Sequence, residues 1–193
     1  MIKLLIADDE TLIRMDLKSA FKGSCFQVVG EAQDGFSAIK LFKQFRPEVI
    51  LMDVKMPVMN GLDASRIILE LDASVSIILL TAYCNEDLMI EARKIGFSGY
   101  IMKPINSSNI IPTIEMMHRN FKNYHSAQCA LEKTQRRLDN RIVIDRAKGI
   151  LMKQKQCSED EAYQEIKNVS KERNFPMSEV AQLIISNDQV KVT

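Results

Sequence analysis

Apolar residues in the first hundred positions come as short runs. Ile2 to Ala7 and the runs near 26–31, 48–52, 75–80 and 99–102 read as buried strands. Between them, near 10–22, 36–45, 62–71 and 86–95, apolar residues recur at helical spacing. Gly23, Gly35, Gly61, Gly96 and Gly99 punctuate the connections. Strands alternating with helices predict an α/β fold: a five-stranded parallel, doubly wound sheet with helices on both faces.

The pattern changes after Pro104. Beyond Pro112 no proline appears until Pro176, and the intervening glycine is Gly149. A long helix is predicted, and its apolar residues follow a heptad. Ile114, Met117, Phe121, Tyr124, Leu131, Leu138 and Ile142 fall on one 3-4-3-4 stripe, with Gln128 and Gln135 at its remaining positions. Residues 114–142 would span ~43 Å at 1.5 Å each, longer than the edge of a small domain. The expectation is a coiled-coil helix joining a parallel homodimer, its register set by the polar core positions.

Residues 141–152 continue as an amphipathic stretch. Ser158 and Glu161 form a capping box that opens a helix running to about Lys171. Phe175, preceding Pro176, must be extended, and a last helix runs from Pro176 to Ser186. These three helices predict a small all-α domain, with Ala147, Ile150, Leu151, Ala162, Ile166, Ala181 and Leu183 as core candidates and Val180, Ile184 and Met177 beside them. Met116, Met117, Met152 and Met177 read as core filler. His118 and His125 read as solvated helix residues.

The predicted strand ends carry the chemistry. Asp8 and Asp9 end the first run, Asp53 the third, Thr81 the fourth and Lys103-Pro104 the fifth. In open α/β sheets ligands bind beyond the carboxyl ends of the strands. Three clustered carboxylates repel one another and need a cation; an all-oxygen set suits a hard ion, Mg²⁺ above all. Beside such an ion a carboxylate can accept a phosphoryl group. Lys103 would neutralise the phosphoryl oxygens and Thr81 would donate a hydrogen bond to them.

The first part of the chain resembles a response-regulator receiver domain. The matching residues are Leu5-Ile6-Ala7-Asp8-Asp9-Glu10, Met52-Asp53-Val54-Lys55-Met56-Pro57 with Asn60-Gly61, Thr81-Ala82 and Tyr100-Ile101-Met102-Lys103-Pro104. The resemblance covers residues 1–120. It implies a sensor histidine kinase as partner and Asp53 as phosphoacceptor. It also implies Mg²⁺ held by Asp8, Asp9, Asp53 and the backbone carbonyl of Lys55. Thr81 would move toward the phosphoryl group, and Tyr100 would turn inward as a switch.

Residues 136–193 resemble the ANTAR domain, an RNA-binding antitermination module. The match runs Ile144-Asp145-Arg146-Ala147-Lys148-Gly149-Ile150-Leu151-Met152, then Ser158, Glu161-Ala162-Tyr163 and Val180-Ala181. Phe175-Pro176 departs from the family's less constrained turn. The resemblance implies binding of RNA hairpins in leader transcripts and suppression of transcription termination.

Composition and charge bear on these expectations. The chain has 193 residues, 46% hydrophobic and 26% charged, with net charge +1. No stretch approaches the ~20 apolar residues of a membrane span. The short apolar start meets Asp8-Asp9-Glu10, unlike a signal peptide. Cys25, Cys84, Cys129 and Cys157 show no metal or redox spacing and read as reduced thiols of a cytoplasmic protein. Within 133–155, eight basic residues face only Asp139 and Asp145. A polyanion site is the sharper reading of that run. Arg141, Arg146, Lys148, Lys153, Tyr163, Lys167 and Arg173 are the RNA-contact candidates, Tyr163 by stacking on an unpaired base. The rival readings are DNA binding and a receiver that acts only by docking on a protein. A recognition helix for DNA should be polar or basic, but residues 177–186 hold no Lys or Arg. The whole protein is not read as an enzyme.

Overall fold

The structure, a computed structural model, describes residues 1–82, 96–106 and 109–190, with side chains as far as Asp188. It divides into two compact units, Met1–Ser126 and Ala127–Thr193.

The first unit runs β1 (Ile2–Ala7), α1 (Thr11–Ala20), β2 (Phe26–Ala32), α2 (Gly35–Phe45), β3 (Val49–Asp53), α3 (Gly61–Leu71), β4 (Ser76–Thr81) and β5 (Gly99–Met102). The helix expected near 86–95 and Cys84 lie outside the described residues. All strand pairs are parallel, in the order β2-β1-β3-β4-β5. The expected doubly wound sheet is therefore present.

Successive side chains on a strand point to opposite faces, which explains why the runs are apolar throughout. Leu5, Ala7, Ile50, Met52, Ile77 and Leu79 meet Ala38 and Phe42 of α2 and Ala64 and Ile68 of α3. Leu4, Ile6, Val49, Leu51, Ile78 and Leu80 meet Leu17 of α1, the adjacent Phe21, and Ile110 and Ile114. Polar caps fix where the helices begin. The Asp34 carboxylate accepts from the Ser37 N–H at 2.7 Å, and the Asn60 side chain accepts from the Asp63 N–H at 2.8 Å.

A long helix α4 (Ile110–Lys155) follows, then α5 (Glu159–Arg173) and α6 (Met177–Val190). The capping box at Ser158 and Glu161 forms as expected. Ala147, Leu151, Ala162, Ile166, Val180 and Ala181 make the core of the second unit, with Met177 and Ile184 packed against it. Leu183 was expected in that core and is exposed instead, while Ile150 is only half-buried. Leu183 lies about a third of a turn from the face shared by Met177, Val180, Ala181 and Ile184.

The heptad stripe divides into two parts. Ile114 is fully buried in the first unit's core and Met117 packs against it, whereas Tyr124, Leu131, Leu138 and Ile142 are exposed. Gln128 and Gln135 are exposed as well. Met116 is exposed rather than core filler.

His118 corrects another expectation, for it is only 5% exposed. It lies one helical step of four residues beyond Ile114 and shares its inward face. Its Nδ1 is buried with no hydrogen-bond partner. Burial holds the imidazole below its ordinary pKa, the Lys122 charge adds to that, and Glu48 opposes it. The unfolded chain thus takes up this proton first as pH falls. His118 stability is present above the ordinary value of 6.5 and is lost as pH drops through it. Replacing His118 with Gln should flatten the fall in unfolding free energy between about pH 7.5 and 5.5, measured by urea titration.

Candidate functional site

The carboxyl edge of the sheet gathers the expected groups. Ala7 of β1 pairs with Met52 of β3, so the next residues, Asp8 and Asp53, face each other. Asp53 pairs with Leu80 on its other side, which puts Thr81 next along β4. Asp8, Asp53 and Thr81 are all buried. Lys103 arrives from the end of β5, where its N–H donates to the Thr81 carbonyl at 2.8 Å. Its Nζ lies 2.7 Å from Asp8 Oδ2 and 3.2 Å from Asp53 Oδ2. The amine therefore bridges the two buried carboxylates.

The electrostatics follow from that bridge. Burial raises the Asp53 carboxyl above its ordinary pKa, Lys103 pulls it down, and Asp8 pushes it up again. For Lys103, burial acts downward, but contact with Asp8 and the charge of Asp53 outweigh it and leave its pKa raised. Asp53 is thus a desolvated carboxylate tied to a firmly protonated amine.

Asp8, Asp9 and Glu10 bring carboxylate oxygens within 4.8 Å of one another. Glu10 joins the two expected ligands Asp8 and Asp9, and the acidic run Asp8-Asp9-Glu10 carries that signal in the sequence. Asp53 does not belong to that convergent set, and Lys103 stands between it and Asp8. Asp8 Oδ1 accepts from the Glu10 N–H at 2.9 Å. Asp8 Oδ2 is buried, and no donor is aligned on it as a hydrogen bond despite the nearby amine. An acidic, all-oxygen set at the carboxyl edge of a parallel sheet fits a hard divalent cation. Lys55 is exposed in the loop after β3, and Tyr100 is partly exposed on β5. A pocket of about 560 Å³, lined by Arg46, Glu48, Asp72 and Lys122, lies at the amino ends of β3 and β4, away from this cluster.

The second unit carries the basic candidates. Lys148 is only 13% exposed and sits 2.6 Å from Asp145 and 2.7 Å from Glu159. Its hydrogen bonds to both hold it above its ordinary pKa. Lys148 therefore acts as a strut between α4 and the start of α5. Arg141 is exposed and makes a long contact of 3.9 Å to Asp145. Arg146, Lys153, Lys167 and Arg173 have no ion-pair partner among the described residues. Tyr163 is partly exposed on α5. No helix among the described residues is long and apolar enough to cross a membrane.

Comparison with known proteins agrees with this geometry. Residues 4–115 match the model of the response regulator receiver domain, and residues 132–185 match that of the ANTAR domain. The transcriptional regulatory protein PdtaR of Mycobacterium tuberculosis is 34% identical over 183 residues, covering 95% of this chain and 89% of that protein. The chemotaxis protein CheY of Thermotoga maritima is 33% identical over 117 residues, covering 61% of this chain and 98% of its own. The response regulator domain of Thermotoga maritima CheB superposes with a TM-score of 0.56 at 30% identity, over 64% of this chain and 97% of that one. A CheX–CheY complex with BeF3 and Mg²⁺ from Borrelia burgdorferi matches at 25% identity and a TM-score of 0.55, over 57% and 84% of the two chains.

One small residue holds the Asp53 strand end in place. Gly61 opens α3 and donates its N–H to the Val54 carbonyl at 3.0 Å. A Cβ on it would collide with the Asp53 backbone carbonyl, and backbone cannot swing aside as a side chain can. Gly61→Ala should therefore lower stability by about 1–3 kcal/mol, read from denaturant unfolding.

Proposed function

The chain belongs to the response regulators, joining a receiver to an ANTAR domain, and we propose that it is an antiterminator switched by phosphorylation of Asp53. The observation that carries this reading is the buried Asp53 bridged by Lys103 to Asp8, in one chain with an ANTAR unit that keeps cations unpaired. A sensor histidine kinase is the phosphodonor. An Asp53 carboxylate oxygen attacks phosphorus; the bond from phosphorus to the donor nitrogen breaks, and that nitrogen keeps the electron pair and takes up a proton. Lys103 offsets charge on the phosphoryl oxygens, and Thr81 and Tyr100 respond to the new group.

Asp8, Asp9 and Glu10 are the residues placed to hold Mg²⁺, with Asp53 and the Lys55 carbonyl completing the set expected from the family. The ion supplies charge neutralisation during transfer. The Mg²⁺ named with the CheY complex supports this assignment. The thiols of Cys25 and Cys157, outside any disulfide, support a cytoplasmic location.

Phosphorylation would favour a homodimer joined along the 114–142 stripe, through its exposed positions Tyr124, Leu131, Leu138 and Ile142. The dimer presents two ANTAR units to RNA hairpins in a nascent leader, and binding there keeps the terminator from folding. Two weak sites joined in one dimer gain effective concentration. Arg141, Arg146, Lys153, Lys167 and Arg173 meet phosphates, Tyr163 meets a base, and Lys148 supports the surface from beneath.

Three measurements test the reading. Asp53→Ala should abolish the added phosphoryl mass after incubation with a small phosphodonor and Mg²⁺; unchanged labelling refutes the phosphoacceptor assignment. Replacing Leu131 and Leu138 with Lys should leave the receiver folded and the phosphorylated protein monomeric by light scattering. On a leader–terminator template, phosphorylated protein should raise readthrough. No gain there, with tight binding to promoter duplex, favours DNA-binding regulation instead.

A further inference from the structure

A groove of about 410 Å³ lies between α5 and α6 in the second unit. Ile166, Val169 and Leu183 supply apolar walls, Arg173 and Asn187 supply polar groups, and Phe175 closes one end. Three of these walls are unusual for a surface. Val169, Phe175 and Leu183 are all large apolar side chains left exposed, Phe175 at 50%.

Phe175 is also held in place. Its N–H donates to the Ser170 carbonyl at 3.1 Å, and its own carbonyl accepts from Ser170 Oγ at 2.6 Å. Asn174 before it takes the left-handed conformation that ends α5, at φ 54°. Pro176 after it accepts from Glu179 and Val180 as α6 begins. An exposed aromatic whose backbone is fixed on both sides loses little entropy when it captures a flat ligand.

The charge around the groove selects the ligand. Glu165 is the one carboxylate in its lining, and it is paired with Lys155 at 2.6 Å. Arg173 has no ion-pair partner among the described residues, so the groove offers a free guanidinium beside an aromatic face and an amide. A purely apolar partner leaves that guanidinium unused. An unpaired nucleobase uses every part: its face stacks on Phe175, its edge meets Asn187, and its phosphate meets Arg173.

We propose that this groove, built around Phe175 and Arg173, is a pocket for a single unpaired base of the RNA that the second unit binds. The site rests on the RNA-binding reading above and adds a definite base-capture point to it. It is separate from Tyr163, which does not line the groove.

The test uses the full-length phosphorylated chain and a pool of RNA hairpins with randomised loops carrying 5-iodouridine. Photocrosslinks should map to the peptide containing Phe175. Phe175→Ala should weaken binding of the pool about five- to hundredfold, the range for losing one stacked base. Phe175→Tyr should bind as the wild type does, and Arg173→Gln should weaken binding and reduce its dependence on salt. Circular dichroism melting of each variant confirms that the helices remain. Wild-type affinity in Phe175→Ala, with crosslinks elsewhere, overturns the pocket while leaving the RNA-binding reading intact. Loss of the dimer in Phe175→Ala with RNA affinity unchanged assigns the groove to a second copy and overturns it too. Failure of the wild-type chain to bind the pool at all overturns both readings.

Discussion

Everything at the carboxyl edge of the sheet depends on how two buried carboxylates are kept side by side. Parallel pairing of β1 with β3 puts Asp8 opposite Asp53, and neither can reach bulk water. An uncompensated pair there would be costly, and one member would hold a proton. Lys103 resolves the conflict by lying between them. To do so it must cross the end of β4, and its N–H bond to the Thr81 carbonyl fixes that crossing. The edge is thus a balance of charges that one added group would upset. A phosphoryl group brings about two negative charges, enough to redraw the pairing of Lys103 and Thr81. By this route the proposed phosphorylation of Asp53 would bias larger equilibria in the chain.

Much of this was legible in the sequence, for definite reasons. Strands buried on both faces must be apolar throughout, so their ends announce themselves by the first charge, as at Asp8 and Asp53. Helix starts were readable at Ser158 because capping uses side chains close in sequence. What escaped notice depends on depth or on distant partners. Periodicity gives the face of a helix but not how far burial spreads across it, so His118 was placed in solvent and Leu183 in the core. The strut at Lys148 joins residues eleven apart across a turn, and nothing local distinguishes it from a free cation. Gly61 reads as turn chemistry in sequence, while its close approach to the Asp53 carbonyl arises only when the loop folds back on the strand end.

Helix α4 contributes to both units. Ile110, Ile114 and His118 are buried in the first, and Ala147 and Leu151 in the second. The exposed stripe from Tyr124 to Ile142 lies between these two buried sets along the chain. Its apolar residues stand exposed in the single chain, and Gln128 and Gln135 make it a weaker seam than an all-apolar one would be. A marginal seam would suit the switch proposed above, since a dimer that formed at any concentration could not be controlled.

The charge on the second unit leads to the same conclusion. Eight basic residues within 133–155 suggest a strong polyanion site, but the structure withdraws part of that charge. Asp145 and Glu159 occupy Lys148, and Glu165 occupies Lys155. Lys133, Arg136, Arg137, Arg146 and Lys153 keep no ion-pair partner among the described residues, and Lys167 and Arg173 on α5 are unpaired as well. Each phosphate contact releases close to one counterion, so binding of a polyanion to this surface should weaken steeply with salt. If, as proposed, two units are joined by a reversible seam, the affinity gained by joining them is set by whether the dimer exists. Under that proposal, the ion pairs of Lys148 and Lys155 within the ANTAR unit trim the affinity of each single site and leave more of the total to be supplied by joining two of them.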